Sequence, residues 1–561
     1  MKRIFGALLV LTLVPILILW AVSAAETAYA DVPDGALGEE VLKAVDYGLM
    51  NGYSHSVFGY ANPMTRAQFV AVLDRLFPFD SHDAAADTDD DQFSAENADN
   101  PPLPAAMDLP KTMSASHRAA LAHAVIRGVA SDSEPFRPDE AVTREEMAEM
   151  LVKALGLNDA ALALSGPNPA KSSDAENASP FQDLPEGKEG YASIAYAIGM
   201  TKGTSDRSFS PDAPATRAQV AAMLVRVYEK LYQETDFLHG FYVAPDAQSD
   251  LEQSFDVVSA GWSRMTWNAA RAVLETTTSD GQDGYGVPSD YAAIVKALRE
   301  RGAKVYLTVF MDASGGASEL LASETGRARA AELILRELTI SYPELGENPY
   351  DGVTVDFEGL REPQKVFFVD FLSELRTALA PTGKGLYVCV SPYLSYGPWF
   401  DGYDCRAIAE IADKLILTVY DNRNLNNFLG SKAYRNAPPS SVSGVYLSLL
   451  KLKEEVADAS KIVLNIRLQS AAWETDERGN LISGALTSPD TETILQGLRQ
   501  SDAQSEWSFE HQTPYAVYRA PDGSRRFVWY ENAESVQSKL QIARLLGVTG
   551  VSFWRVGLIP S

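Results

Sequence analysis

Cysteine is almost missing: Cys389 and Cys405 are the only two in 561 residues. That is too few for a disulfide-stapled scaffold. Histidine is nearly as sparse, six in all, and none falls with a cysteine at zinc-ligand spacing, so no metal site and no cofactor are expected. Positive charge is also short. The chain has 48 Lys+Arg against 75 Asp+Glu, a formal charge of −27. Phosphate backbones and anionic headgroups would repel it, which excludes nucleic acid as a partner. Hydrophobic residues make up 46% and charged residues 22%, ordinary proportions that rule out a disordered, collagenous or multi-span membrane chain. At roughly 150 residues per domain, the length suggests three or four domains.

Met1-Lys2-Arg3 is followed by an apolar run from Ile4 to about Val22 and by small residues ending Ala28-Tyr29-Ala30. Charge, apolar run and A-x-A in that order predict a secretory signal over residues 1–30, cleaved after Ala30. Left uncleaved, the segment is long enough to anchor the chain, which is the one membrane contact expected. In either case the rest of the chain lies outside the membrane. A Cys389–Cys405 disulfide would be permitted there, with nothing in the sequence to support its geometry.

One phrase occurs three times: Pro63-Met64-Thr65-Arg66-Ala67-Gln68, Ala141-Val142-Thr143-Arg144-Glu145-Glu146 and Pro214-Ala215-Thr216-Arg217-Ala218-Gln219. Each threonine is placed to cap a helix, with the acid or amide three residues later completing a capping box. Further helices are predicted upstream, at Glu39 to Met50, Arg118 to Val129 and Gly190 to Met200. A Gly-containing turn with an aromatic follows the first and third of these (Gly52-Tyr53 with Phe58, Gly203 with Phe209), and no clear equivalent follows the second.

The phrases, with the openings Asp31-Val32-Pro33 and Phe181-Gln182-Asp183-Leu184-Pro185, resemble the S-layer homology module. The expected all-α modules are 31–79, 111–157 and 181–232, joined by an acidic linker at 80–110 and a second linker at 158–180. The resemblance implies attachment to the bacterial cell wall through a pyruvylated secondary polysaccharide, with Arg66, Arg144 and Arg217 as the anion contacts. A guanidinium can fork onto a carboxylate, so the chemistry is reasonable. The second copy departs most from the pattern and would be the silent one. Asp87-Thr88-Asp89-Asp90-Asp91 lacks the glycine and the terminal glutamate of a calcium loop.

From residue 237 onward, eight short apolar runs alternate with helical stretches: Leu238 to Ala244, Val257 to Trp262, Lys304 to Met311, Gly352 to Phe357, Leu386 to Ser391, Lys414 to Tyr420, Lys461 to Leu468 and Val548 to Trp554. Near-continuous apolar strands separated by helices predict a (β/α)8 TIM barrel over 237–561, with a polar, turn-rich insertion at 469–529 after the seventh strand. Chemistry in such barrels sits at the carboxyl ends of the strands. On the fourth run, Thr354, Asp356 and Glu358 share the face opposite Val353, Val355 and Phe357. Carboxylates two positions apart lie about 6–7 Å apart at Cα, close enough for each to raise the other's pKa.

Asp351-Gly352-x-x-x-Asp356-x-Glu358, Val419-Tyr420-Asp421 and Trp554, with the closing run Val528 to Ser535 and Lys539, resemble glycoside hydrolase family 18 in its cell-wall and spore branch. The resemblance implies cleavage of β-1,4 bonds beside N-acetylated sugars without a protein nucleophile. Glu358 would be the acid, Asp356 would orient the acetamido group, and Tyr420 would donate to its oxygen. Asp421, Trp554, Asp351 and Thr354 would complete the substrate site, with threonine standing at 354 where many members carry aspartate. The alternative is a glycan-binding S-layer protein without turnover.

Overall fold

The computed structural model describes residues 29–78, 103–165, 180–243, 254–277, 285–392, 401–421, 425–556 and 558. Residues 1–28 of the expected signal, 79–102 and 166–179 lie outside them. In the first repeat α1 (Ala36–Asp46) precedes α2 (Arg66–Leu76), and in the second α3 (Ala115–Ile126) precedes α4 (Arg144–Ala154). After α5 (Asn158–Ser165), the third repeat supplies α6 (Glu189–Ala197) and α7 (Arg217–Leu231). Thr65, Thr143 and Thr216 each close the predicted capping box with Gln68, Glu146 and Gln219, worth about 1 kcal/mol apiece. The Asp31 carboxylate accepts N–H bonds from Phe58, Gly59 and Tyr60 at 2.7, 2.7 and 2.9 Å, and Asp183 clasps Phe209 and Ser210 in the same way at 2.8 Å each.

The three phrases also join one another. Met64 N–H donates to the Ala215 carbonyl at 3.0 Å, Val142 N–H to Met64 at 2.9 Å and Arg144 N–H to Ala213 at 3.1 Å. Every repeat therefore bonds to both others, and the helices close into a ring. Two linker expectations fail against this packing. Residues 103–110 of the acidic linker include a short 3-10 turn whose Met107 is fully buried and whose carbonyl accepts from Phe136 N–H at 3.2 Å. Residues 158–165 of the second linker are α5, with Ala160 and Ala161 buried. Their alanines read as low complexity in sequence but serve as close-packing surface here.

The second half contains β1 (Phe237–Tyr242), β2 (Val257–Asn268), β3 (Arg271–Glu275), β4 (Lys304–Met311), β5 (Gly352–Phe357), β6 (Gly385–Val390), β7 (Lys414–Thr418) and β8 (Ile462–Arg467). The chain continues through β9 (Ala471–Thr475), β10 (Gln504–Ser508), β11 (Thr513–Arg519), β12 (Arg525–Trp529) and β13 (Gly550–Trp554). Strands β1, β2, β4, β5, β6, β7, β8 and β13 pair in parallel in that order, and β13 returns to β1, closing an eight-stranded barrel. All eight predicted runs are its strands. The barrel's inner wall is tight: a Cβ on Gly385 would stand 1.9 Å from the Tyr306 hydroxyl, so only glycine fits there.

Around the barrel lie α8 (Tyr291–Glu300), α9 (Ala317–Ala322), α10 (Glu324–Glu337), α11 (Lys365–Leu379), α12 (Cys405–Ile411), α13 (Val442–Glu455) and α15 (Ala533–Leu545), while α14 (Thr491–Leu498) packs on the insertion. The insertion after β8 is a folded antiparallel sheet, ordered β10-β11-β12-β9, and not a set of turns. Its two faces carry alternate residues, with Trp473, Phe527 and Trp529 on one side and Ala472, Ala516 and Val528 on the other. The helical ring seats directly on the barrel: the Ser443 hydroxyl donates to the Gly156 carbonyl at 3.1 Å, and Lys230 Nζ donates to the Leu545 carbonyl at 3.1 Å. Both cysteines are free thiols.

Candidate active site

All six residues of β5 are buried, as expected of a parallel strand covered on both faces. Phe357 stacks outward on Phe368 and Phe371 of α11, at ring separations of 5.8 and 5.3 Å, which turns Thr354 and Asp356 inward. Glu358 stands at the rim just past the strand, where its N–H donates to the Met311 carbonyl at 2.8 Å. The Tyr403 hydroxyl donates to the Phe357 carbonyl at 2.7 Å, fixing the backbone between the two carboxyl groups.

Asp356 and Glu358 line a cavity of about 350 Å³ together with Cys389, Tyr403, Tyr420, Asp421 and Arg467. These residues come from the carboxyl ends of β5 to β8 or the loops after them. Asp356 is 7% exposed, and burial raises its pKa, with Glu358 adding charge repulsion; the Cys389 thiol and Arg467 oppose the shift. Glu358 is also raised by desolvation, with Arg467 opposing and Asp312 adding. Its rim position leaves it open to solvent, which limits that desolvation. The two carboxyls titrate as a pair, and one proton stays on the pair well above the ordinary carboxylate range. A proton held beside a cavity is what a general acid needs.

Burial pushes Tyr420 up to about 12 against the opposing Arg467 charge, so its hydroxyl remains a donor. The Arg467 guanidinium lies 4.4 Å from the Tyr420 ring centroid and donates through Nε to Gln469 at 2.6 Å. Asp421 is 9% exposed, and its N–H donates to the Pro439 carbonyl at 2.8 Å.

Two expected substrate residues, Asp351 and Thr354, lie elsewhere. Asp351 precedes β5 at the amino end of the barrel, where its carboxylate accepts from Val305 N–H at 2.9 Å. Five residues of strand put it about 16 Å from Asp356, so it is not a substrate residue. Thr354 is fully buried, and its hydroxyl shares a 2.6 Å bond with Ser259. Ser259 bonds His239 at 2.7 Å, and His239 bonds Ser552 at 2.7 Å, so Thr354 belongs to a polar layer inside the barrel and not to the cavity wall. Trp554 ends β13 level with Arg467 of β8 and packs 5.0 Å from Phe241, half-buried against the cluster that includes the cavity residue Cys389.

Arg467, Tyr403 and Cys389 are additions that the linear pattern did not single out. Arg467 had a readable signal, as a cation ending a mostly apolar barrel strand. Tyr403 and Cys389 reach the site only through tertiary packing.

The arginines of the repeats sit in the seams of the ring. Arg66 donates to the Phe136 carbonyl at 2.7 Å, Arg144 to Phe209 at 2.7 Å and Arg217 to Phe58 at 3.0 Å, each stacked over the same phenyl ring at 5.1, 5.1 and 4.8 Å. Phe136 thus fills in the second repeat the aromatic position that the sequence left without a clear equivalent. Arg66 also pairs with Glu146. Arg217 lines a groove of about 190 Å³ with Arg75, His117 and Tyr53.

Residues 280–558 match the family model of Glycosyl hydrolases family 18, and residues 28–70, 118–148 and 180–221 match the S-layer homology domain. The S-layer homology domains indicate attachment at the cell surface. The cortical fragment-lytic enzyme of Bacillus subtilis (strain 168) is 26% identical over 214 residues, 37% of this chain and 47% of that one. Cell surface glycoprotein 1 of Acetivibrio thermocellus is 32% identical over 130 residues, 23% of this chain and 5% of that one. Among solved structures, the Bacillus cereus spore cortex-lytic enzyme SleL aligns with 18% identity and a TM-score of 0.44, covering 58% of this chain and 72% of that one. The chain spans about half the length, or less, of the two relatives named first.

Proposed function

From a chain that carries a glycosyl hydrolase family 18 domain behind three S-layer homology domains, we propose an envelope-attached hydrolase that cleaves β-1,4 bonds beside N-acetylated sugars, the cell's own peptidoglycan being the leading polymer. The observation that carries this reading is the proton-sharing pair Asp356 and Glu358 facing Tyr420 and Arg467 across one cavity at the barrel's carboxyl end. Glu358 gives its proton to the glycosidic oxygen as that bond breaks. The substrate's acetamido oxygen forms the new bond to the anomeric carbon, giving an oxazolinium that carries the positive charge. Asp356 holds the acetamido N–H and balances that charge, and the Tyr420 hydroxyl donates to the acetamido oxygen. Water then opens the ring and returns a proton to Glu358, so the anomeric configuration is retained.

Wall attachment supplies the substrate at high effective concentration, since tethering replaces diffusion. We assign the anionic wall polysaccharide first to the groove of Arg217 and Arg75, which presents two guanidinium groups in an otherwise acidic chain. The Arg66 seam is the weakest candidate, because Glu146 already neutralises its guanidinium. The Arg144 seam, expected to be silent, has no carboxylate on its guanidinium among the described contacts.

Proton NMR of freshly released reducing ends tests the reading. Retention at the new anomeric centre is expected. Absence of turnover on every N-acetylated glycan would leave a wall-attached binder.

A further inference from the structure

Outside the catalytic cavity, a cleft of about 530 Å³ lies where the second repeat meets the insertion sheet. One wall is the carboxyl end of α3 and α4, including Lys153, and the other is the β10–β11 hairpin with Trp507, Phe509 and Tyr515. Trp529 of β12 closes the inner end. Arg435, from the loop between β7 and α13, reaches in from the side.

Three observations give the cleft a chemistry. Its aromatic surface is concentrated on one wall, and Trp507 and Phe509 there are only half buried. Sugar rings present C–H faces that pack on such rings. Arg435 pairs with no carboxylate among the described residues, whereas Lys153 is held by Glu149 at 2.7 Å and Glu506 is taken by the Tyr515 hydroxyl. Arg127, also in the lining, donates to the Phe77 and Pro78 carbonyls and stacks over Phe509, which leaves Arg435 to meet a polar or carboxylate-bearing ligand beside the exposed Glu510. Finally, the cleft adjoins the catalytic end, with the buried Trp529 as a wall between them. Tyr420 lines both the catalytic cavity and a small neighbouring pocket, and Trp529 lines both that pocket and the cleft. The loop that begins at Tyr420 and Asp421 is the one that delivers Arg435.

We propose that this cleft is a remote glycan subsite, which holds a stretch of N-acetylated, carboxylate-bearing strand several sugars away from the bond being cut. The inference rests on the proposed function, and it adds a reason for the ring to seat on the barrel: the second repeat supplies one wall of the substrate path. A long strand would engage both the cavity and the cleft, whereas a disaccharide would fill only the cavity.

The test uses the full chain carrying Glu358→Gln, so that ligands survive the measurement. Binding of soluble peptidoglycan strands and of a chitin disaccharide is measured by titration calorimetry, with Trp507→Ala and Arg435→Gln added singly. Each added change is expected to weaken strand binding by roughly three- to tenfold and to leave disaccharide affinity at the parent's value. Equal strand affinity in the parent and both variants overturns the cleft while leaving the catalytic reading intact. A parent that binds neither ligand overturns the catalytic reading itself. If Trp507→Ala alters the circular dichroism spectrum, Arg435→Gln decides, because its side chain lies at the cleft edge and holds no ion pair. Isolated wall polysaccharide serves as the third ligand: binding of it that the cleft variants abolish, with strand binding unchanged, would assign the cleft to anchoring and refute the substrate path.

Discussion

Replacing Arg467 by methionine keeps the aliphatic stem and deletes one positive charge from the cavity. The guanidinium lies 4.4 Å from the Tyr420 ring centroid, and its charge opposes the upward shifts of Asp356, Glu358 and Tyr420. A nearby opposite charge lowers a carboxyl pKa by about 1–3 units. Here one cation serves two coupled carboxyls, so the lower end applies: about one unit, or about 1.4 kcal/mol, for each limb of the profile. Losing the contact with the Tyr420 ring costs about 0.5–2 kcal/mol more in its positioning. The assay is the pH dependence of kcat/KM on a soluble N-acetylglucosamine oligomer. Both limbs of the bell should move up by about one unit, because protonated forms are favoured once the cation is gone. Activity should fall most on the acidic side. A bell that keeps its position while its height drops would refute the electrostatic role and leave Arg467 as a contact only.

Asp356→Asn should raise the melting temperature at pH 8 to 9 and have little effect at pH 4: the carboxyl's pKa is raised by burial, so its stability contribution is complete near pH 4 and is lost as pH rises through the native value. Thermal melts across that range check the direction. Asp183 behaves oppositely. Desolvation raises it, but bonds from Ser208, Phe209 and Ser210 together outweigh that and hold it at about 2, so the third repeat should loosen as pH falls from about 4 towards 2, an effect that Asp183→Asn should abolish. Thr354→Val breaks the 2.6 Å bond to Ser259 and leaves that hydroxyl one partner short, costing about 1–3 kcal/mol in denaturant unfolding, while kcat stays within a few-fold because the side chain does not reach the cavity. Arg217→Met should loosen the ring, since hydrogen bonds from a charged donor to the Phe58 and Asn51 carbonyls are worth about 1.5–3 kcal/mol each; limited proteolysis between the repeats reads this out.

Local signals were read well from the sequence. A capping box spans four residues, so Thr65 with Gln68 needs no tertiary knowledge, and near-continuous apolar runs identify barrel strands because both of their faces are covered. Motif adjacency was a poorer guide. Asp351 and Asp356 share one phrase, yet a strand separates its ends by its own length and places them at opposite ends of the barrel. Thr354 sits on the correct face but one layer too deep, where His239 and Ser259 absorb its hydroxyl. The cyclic seams pair Arg66 with Phe136 and Arg217 with Phe58, 70 and 159 residues apart, distances at which no periodicity operates. The same holds for Tyr403, which braces Phe357 from 46 residues away. Residues 158–165 looked like linker because alanine-rich composition does not distinguish a solvated spacer from a helix packed against a neighbour.

The most direct measurement compares reducing-end release from purified peptidoglycan by the intact chain and by Glu358→Gln, with glycan binding followed on the same samples. Loss of the acid should cut release by about 10²–10⁴-fold while binding persists. Undiminished release from Glu358→Gln would contradict the assignment of the transferred proton to that carboxyl group.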